Sequence, residues 1–269
     1  MRATVFEFRL RFWIIMAIYI LGFVAPWDFV LHLDGAGPNG APGQLAGWGG
    51  NAHGWGQLAV LLSKGGAMSI AAAFNLVLAA AIACALAGAW LRTWGSAYLG
   101  ADVMRDTSMR SDGVVADGPY RTMRNPLYLG SWLNLLALAL LMPASGAVFA
   151  IVMLIGFHMR LVLGEEAFLR EKLGEPYAAY CARVPRILPA LRKPTSQRRD
   201  VGHPIPSSGR KPRWGQAALA EIFMWGSAVS FAVLGWRYNA TLLLQCVLVS
   251  LGVSLVVKAF ATGQGEKAG

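Results

Sequence analysis

Ionisable residues cluster in two segments that flank strongly apolar stretches. The first is GPYRTMRNPLYLG at 118–130, and the second is EEAFLREKLGEPYAAYCARVPRILP at 165–189. Alone, the arginines of the first segment would indicate anchors for lipid phosphate. The two glutamates that open the second would indicate a helix start, where the helix dipole favours carboxylates. Together with the tyrosines of both segments they are predicted to meet at one membrane depth, where ionisable groups are functional candidates.

The apolar stretch between the two segments is predicted to form a helical hairpin. It reads as helices 127–142 and 144–163 around a turn that contains Pro143 and Gly146. Because a hairpin returns the chain to the surface that it left, we expect Asn125 and Glu165 to be neighbours. The sequence therefore predicts a polar pocket at one end of this hairpin.

The second segment also has the pattern of an amphipathic helix. Its apolar and aromatic residues recur at spacings of three and four, which places them near one helical face. They are Phe168, Leu169, Leu173, Tyr177 and Tyr180. Gly174 and Pro176 are expected to bend this helix.

The composition indicates an integral membrane protein. Of the 269 residues, 56% are hydrophobic and 14% are charged, and the mean hydropathy is +0.48, whereas soluble domains carry about 25% charged residues. Stretches of about 20 apolar residues, long enough to cross a bilayer, recur along the chain. We predict six spans, at 12–30, 67–91, 127–142, 144–163, 217–236 and 240–257. The fold class is all-α and polytopic, and the first span is expected to stay attached because no cleavage site follows it.

The distribution of basic residues predicts the topology. With both termini in the cytoplasm, every Lys and Arg except Lys64 and Arg237 belongs to a cytoplasmic segment. The net charge of +10 is therefore attributed to topology and to contact with anionic membrane lipids. A nucleic-acid partner is not needed to explain it.

Cysteine and histidine are too scattered to predict a metal site. The cysteines are Cys84, Cys181 and Cys246, and the histidines are His32, His53, His158 and His203. All three cysteines are interpreted as structural, and no metal cofactor is expected.

We divide the chain into four parts. Residues 1–66 hold the first span and a Gly-rich external loop, in which Trp48 and Trp55 are expected at the membrane interface. Residues 67–191 form the core with the pocket, 192–216 form a polar cytoplasmic linker, and 217–269 form a closing hairpin of two spans.

The two polar segments resemble the signature of the isoprenylcysteine carboxyl methyltransferase family and its phospholipid methyltransferase relatives. That signature reads roughly GxYxxxRHPxYxG, then a helical hairpin, then EExxLxxxFGxxYxxYxxxVP. The matching residues are Gly118, Tyr120, Arg124, Pro126, Tyr128, Gly130, Glu165, Glu166, Leu169, Gly174, Tyr177, Tyr180, Val184 and Pro185.

The resemblance has limits. Asn125 stands where the family often has His, and Leu173 where it often has Phe. Asn keeps a hydrogen-bonding side chain but does not titrate near neutral pH, so proton transfer at this position would be lost. The last two spans have no counterpart in the signature.

The resemblance implies that S-adenosylmethionine binds in a cytoplasm-facing pocket roofed by 165–189. The implied cofactor contacts are Tyr120, Asn125, Pro126, Tyr128, Leu129, Glu165, Tyr177, Tyr180 and Pro185. A sulfonium cation, a zwitterionic amino acid and an adenosine need a carboxylate, polar groups and aromatic faces. The chain has no GxGxxG fingerprint, so a Rossmann-type methyltransferase is not expected.

By the same resemblance, Arg124, Glu166 and Arg183 are the catalytic polar groups near the methyl acceptor. The acceptor is expected to be lipophilic or small and to be reached from the membrane. A carboxylate acceptor needs no base, whereas an amine or thiol must lose a proton, for which Glu166 is the candidate base.

Two other functions are compatible with the sequence. A transporter would need polar or broken-helix residues near mid-bilayer, and Asn75 and Asn134 are the strong polar candidates inside the predicted spans. A non-catalytic protein of the same fold is the second alternative. The richness in Ala and Gly indicates a bacterial inner (plasma) membrane, whereas a eukaryotic relative would lie in the endoplasmic reticulum.

Overall fold

The computed structural model describes residues 3–24, 53–64, 66–99, 116–189, 209 and 211–263. The end of the first predicted span, most of the Gly-rich loop with Trp48 and His32, and most of the linker with His203 lie outside these residues. The described residues form ten α-helices and contain no β-strand. The helices are α1 (Val5–Arg9), α2 (Arg11–Val24), α3 (Gly54–Ser63), α4 (Ile70–Leu99), α5 (Pro126–Ala139), α6 (Ala144–Leu173), α7 (Glu175–Arg183), α8 (Trp214–Ala220), α9 (Ile222–Leu234) and α10 (Ala240–Gly263).

The all-α prediction is confirmed, and the helices mark the chain as a membrane protein. Within the described residues three helices are long and apolar enough to cross a membrane: α4, α6 and residues 240–260 of α10. A fourth span is possible if α8 and the helix that follows it, which are bent by 69° at Glu221, cross together. Helices α2 and α5 are apolar but have 14 residues each. At 1.5 Å per residue they extend about 21 Å, short of the ~30 Å hydrocarbon core.

Helices α4 and α5 approach each other so closely that their backbones touch. A Cβ added at Gly88 of α4 would lie 2.7 Å from the carbonyl oxygen of Gly130 in α5 and 3.1 Å from the backbone nitrogen of Asn134. Small residues at such crossings let membrane helices pack without intervening side chains. This contact fixes α5, and with it the start of the predicted pocket, against the long helix α4.

The turn between α5 and α6 is held by α3, a helix that the sequence did not indicate. The N–H groups of Gly54 and Trp55 donate to the carbonyl oxygens of Met142 (2.7 Å) and Leu140 (3.0 Å). Trp55 was predicted at the membrane interface, but it is 4% exposed and its indole N–H donates to Phe74 (3.2 Å). Burial of a tryptophan is favourable when its N–H finds a partner, and a backbone carbonyl partner cannot be identified from sequence.

Helix α1 is docked on α6 one turn before the paired glutamates. Arg160 donates to both carboxylate oxygens of Glu7 at 2.9 Å, and the N–H of Ala3 donates to the carbonyl of Arg160 at 3.1 Å. The hydrogen bond from Arg160 lowers the pKa of Glu7 to about 2, with help from the N–H of Thr4. The start of the described chain thus lies beside Gly164, next to the candidate site.

The predicted bends are confirmed. Gly174 has φ of +59° and separates α6 from α7, a backbone conformation that glycine adopts without steric cost. At the other end of the chain, a single 3₁₀ turn (Gly235–Arg237) and Tyr238 connect α9 to α10. The first bend folds α7 back over the end of the α5–α6 hairpin.

Candidate active site

The two polar segments lie side by side, as we predicted from the helical hairpin between them. The N–H of Arg124 donates to the carbonyl of Pro185 at 2.9 Å, and the N–H of Asn125 donates to the carbonyl of Arg186 at 3.1 Å. These bonds satisfy backbone donors just before α5, where no helix supplies a partner. Pro126, which has no N–H, then begins the helix.

Glu166 is the centre of a buried ionic cluster and is 8% exposed. Arg124 contacts its Oε2 at 3.1 Å. Arg186 donates through Nε to both oxygens (3.2 and 3.1 Å) and contacts Oε2 through Nη2 at 3.0 Å. Asn125 donates through Nδ2 to Oε1 at 3.2 Å. Hydrogen bonds that involve a charged partner are the strong ones, so Glu166 acts as an anchor that joins both segments.

Asn125 acts through its side chain as a donor. Its Nδ2 contacts the carbonyl of Arg186 (3.1 Å) as well as Glu166. The prediction placed Asn125 beside Glu165, but its hydrogen bond goes to Glu166, the next residue along α6. Adjacent helical residues point about 100° apart, so the two glutamates reach different partners.

Glu165 faces a different group of residues. The hydroxyl of Tyr128 donates to its Oε1 at 2.9 Å, and this is its one hydrogen bond within the described residues. The ring of Tyr128 packs edge-on against His158, with centroids 5.1 Å apart. Of the two glutamates, Glu165 therefore keeps more capacity to accept hydrogen bonds from a ligand.

Three buried tyrosines lie close to Glu165 and Glu166. Tyr120, Tyr177 and Tyr180 are 7%, 5% and 4% exposed, and the hydroxyl of Tyr180 donates to the carbonyl of Tyr120 at 2.7 Å. Burial raises the pKa of all three phenols well above the usual value, so they stay protonated donors at neutral pH. The rings of Tyr177 and Tyr180 lie 5.9 Å apart on α7.

Two buried polar atoms in this region have no hydrogen-bond partner. They are Oη of Tyr120 and Nε of Arg124. Arg124 uses its Nη1 for Glu166 and for the sulfur of Cys181 (2.9 Å). Because an unpaired buried donor costs about 1–3 kcal/mol, two of them on the segment that contacts Glu166 indicate a place for a polar ligand.

The other predicted site residues are distributed as follows. Pro126 is buried, Leu129 and Pro185 are half-buried, and Arg183 is exposed on α7. Arg121 is also exposed and pairs with Asp117 at 3.4 Å, away from Glu166. Within the described ranges no three His, Cys, Asp or Glu side chains come together as a possible metal site.

Arg186 is a residue that the sequence did not identify. The signature ends at Pro185, and Arg124 and Arg183 were the arginines assigned to the acceptor. Helix α7 ends at Arg183, after which Val184 is extended (φ −110°, ψ 124°) and turns the chain back towards α6. The Val-Pro pair was a usable signal, because a residue before proline favours extended backbone. The hydrogen bond to Glu166 raises the pKa of Arg186, so the guanidinium stays charged.

Replacing Arg186 with glutamine is expected to lower the melting temperature of the detergent-solubilised protein by several degrees. It removes a two-pronged contact with Glu166, for which hydrogen bonds to charged groups give about 1.5–3 kcal/mol. The 41% exposure of the arginine reduces this to about 1–2 kcal/mol. Arg170→Gln is the matched control, with the same charge change at an exposed residue of α6 and an expected effect within about 0.5 kcal/mol. Equal shifts in the two variants would contradict the assignment of Arg186.

Comparison with protein families adds an independent observation. Residues 76–176 match the family model described as phospholipid methyltransferase. The match confirms the resemblance predicted from the two segments and supports methyl transfer in general. It covers most of α4, all of α5 and α6, and the first residues of α7. Neither the comparison with curated proteins nor that with solved structures gives a match.

Proposed function

We propose that this protein transfers a methyl group from S-adenosylmethionine to a lipophilic or small acceptor at the cytoplasmic face of a membrane. The observation that carries the proposal is the buried constellation at the end of the α5–α6 hairpin, which lies largely within the part that matches the methyltransferase family. There Glu165, Tyr120 and Arg124 combine a carboxylate with two unpaired donors. The isoprenylcysteine carboxyl methyltransferase relatives are the subgroup that the sequence resembles.

The residues present fit the chemical groups of this cofactor. When bound, S-adenosylmethionine supplies a methyl group that its sulfonium already activates for displacement. We assign Glu165 to the cationic part of the cofactor, since the carboxylate is half-buried and accepts one hydrogen bond within the described chain. Tyr120 Oη and Arg124 Nε can donate to a carboxylate or a hydroxyl, and the rings of Tyr177 and Tyr180 offer apolar faces.

The protein's own contribution is alignment and exclusion of water. Glu166 holds Arg124 and Arg186 in place, so that an arginine fork can orient an anionic or polar acceptor head. If the acceptor is an amine or a thiol, it must lose a proton. We assign that proton to Glu165, because the oxygens of Glu166 already accept from three side chains. A carboxylate acceptor has no proton to lose and would need neither glutamate as a base.

The topology belongs to the same proposal. We propose six crossings with both termini and the pocket on the cytoplasmic side, in the inner membrane of a bacterium. The distribution of Lys and Arg supports this orientation. Helices α2 and α5 would then cross as short spans, which a bilayer accommodates by local thinning.

The test is cofactor binding and methyl transfer by the purified full-length protein in detergent. Isothermal titration with S-adenosylmethionine should show saturable binding, with S-adenosylhomocysteine competing. Radiolabelled methyl should then appear in one of four acceptor pools: phospholipid amines, prenylated cysteine carboxyls, small thiols or hydrophobic metabolites. Absence of binding by folded protein would sink the proposal. Binding with no transfer to any pool would favour the non-catalytic alternative.

A further inference from the structure

The C-terminal hairpin outside the family match carries a buried charge. Glu221 lies at the break between α8 and α9 and is 2% exposed. Arg92 of α4 binds it with two bonds, from Nε to Oε2 at 2.7 Å and from Nη2 to Oε1 at 3.0 Å. Ser96 adds a hydrogen bond to Oε1 at 2.8 Å. Ionisable residues in an apolar helix are costly, which makes this buried pair a candidate for a function.

The other side of Arg92 contacts the first turn of α5. Its Nη1 donates to the hydroxyl of Ser131 at 2.7 Å and to the carbonyl of Leu127 at 3.3 Å. Tyr128, whose hydroxyl holds Glu165, lies on this turn, and Asn125 directly precedes it. One guanidinium thus connects Glu221 of the hairpin to the turn that carries two residues of the candidate site.

Arg92 is also close enough to Tyr120 to act on it electrostatically. Burial is the main reason that the pKa of Tyr120 is raised, and after it Tyr180 and Glu165 raise it further while Arg92 lowers it. The unpaired hydroxyl of Tyr120 therefore interacts electrostatically with both Glu165 and Arg92. The turn that carries Tyr120 packs against α4, the helix of Arg92, so the ion pair lies near the candidate site.

Two other hydrogen bonds join the hairpin to the family-matched part without reaching this turn. The indole N–H of Trp225 donates to the hydroxyl of Thr93 at 2.9 Å. The hydroxyl of Ser227 donates to Oδ1 of Asn134 at 3.0 Å. These bonds hold helices together, and they provide controls that separate packing of the hairpin from positioning of α5.

We propose that Glu221, acting through Arg92, positions the first turn of α5 and so places Tyr128 and Glu165 for reaction. This inference rests on the proposed methyl transfer. Glu221 and Arg92 are positioning residues, and through them the closing hairpin contributes to methyl transfer. Without Glu221, the charge of Arg92 would have no carboxylate to fix its direction, and its bonds to Leu127 and Ser131 would be less firmly positioned.

The decisive variant replaces the ion pair with an apolar pair, as Arg92→Met with Glu221→Leu. Substituting well-packed hydrophobic residues for both members of a buried pair is often neutral or stabilising, so the variant should keep its melting temperature. We expect kcat/KM for the cofactor to fall about 10- to 100-fold, because small misplacement of reacting groups has effects of this size. Trp225→Phe, which removes a bond of the same interface, should stay within about twofold. If the double variant does not fold, Glu221→Gln replaces it, with a smaller loss expected in the same direction.

Hydrogen exchange of the backbone amides of α5 gives a readout that does not depend on methyl transfer. Exchange of the amides of Leu129, Gly130 and Ser131, which bond back to carbonyls at the start of the helix, should rise in the double variant and remain unchanged in Trp225→Phe. Wild-type rates in that turn, or full activity of the stable double variant, would overturn the positioning role. If the wild-type protein binds no cofactor, the proposed function fails, and the exchange result still decides whether Glu221 orders the turn.

Discussion

Glutamine in place of Glu165 is expected to weaken S-adenosylmethionine binding about 10- to 100-fold while the protein stays folded. Glutamine keeps an oxygen that can accept from Tyr128, so the contact at 2.9 Å survives. What is lost is the negative charge facing the cationic cofactor. Hydrogen bonds to charged groups contribute about 1.5–3 kcal/mol, and 1.4 kcal/mol is a factor of ten in affinity.

The control for this variant lies on the same helix. Glu171 is exposed near the end of α6, so Glu171→Gln removes the same charge and should leave the dissociation constant within about twofold. Tyr128→Phe is an intermediate case, with roughly a three- to tenfold loss, since one neutral donor contributes about 1 kcal/mol. Titration calorimetry of the three variants checks the order of their dissociation constants. Unchanged affinity in Glu165→Gln would remove this residue from the cofactor site.

The meeting of the two polar segments was predictable because it follows from local rules. A turn at Pro143 joins two apolar helices, and a hairpin must bring Asn125 and the paired glutamates to one end. The bend at Gly174 was equally readable, because glycine and proline within three residues interrupt a helix. These predictions needed no knowledge of side-chain contacts.

The partner of each glutamate was not predictable. Glu165 and Glu166 are adjacent, and whether a residue faces Tyr128 or Arg186 depends on the rotation of α6 about its axis. That rotation is set by packing against α2 and α5. Arg186 was overlooked for a related reason, since its direction depends on where α7 stops.

The buried pair of Arg92 and Glu221 shows a second limit of sequence analysis. Each residue lies near the end of a predicted span, where charged groups ordinarily reach the membrane surface. Only the close approach of α4 to the bent pair α8–α9 places them together. The broken helix at Glu221 is also a feature expected of transporters, but here the carboxylate is bound by Arg92 and Ser96, which accounts for its burial.

The helices differ in length from the predicted spans, and α5 is shorter than the span predicted for it. The apolar stretch at 127–142 suggested a complete span, yet α5 ends at Ala139. The chain then turns at residues 140–143, where α3 supplies its hydrogen bonds. Hydropathy does not distinguish apolar residues in a helix from those in a turn held by another helix.

Alanine in place of Glu166 is expected to destabilise the protein by about 3 kcal/mol and to abolish methyl transfer. It leaves Arg124, whose side chain is 11% exposed, without its carboxylate, and removing one member of a buried pair costs about 3–5 kcal/mol. The lower figure applies because Arg186 can reach water. Thermal unfolding in detergent measures the first effect. Loss of cofactor binding should accompany it, since Arg124 and Asn125 lose their common partner.

Glu166→Gln separates an anchoring role from the role of a base, which the sequence predicted for an amine or thiol acceptor. A glutamine still accepts a hydrogen bond but presents an amide donor to the arginines, so stability and kcat should fall together while the pH dependence of kcat keeps its shape. Removal of a general base instead abolishes the acidic limb of the pH–rate profile, and with an amine or thiol acceptor we expect that change in Glu165→Gln. A stable Glu166→Gln protein with no acidic limb would restore Glu166 as the base and reverse our assignment of the two glutamates.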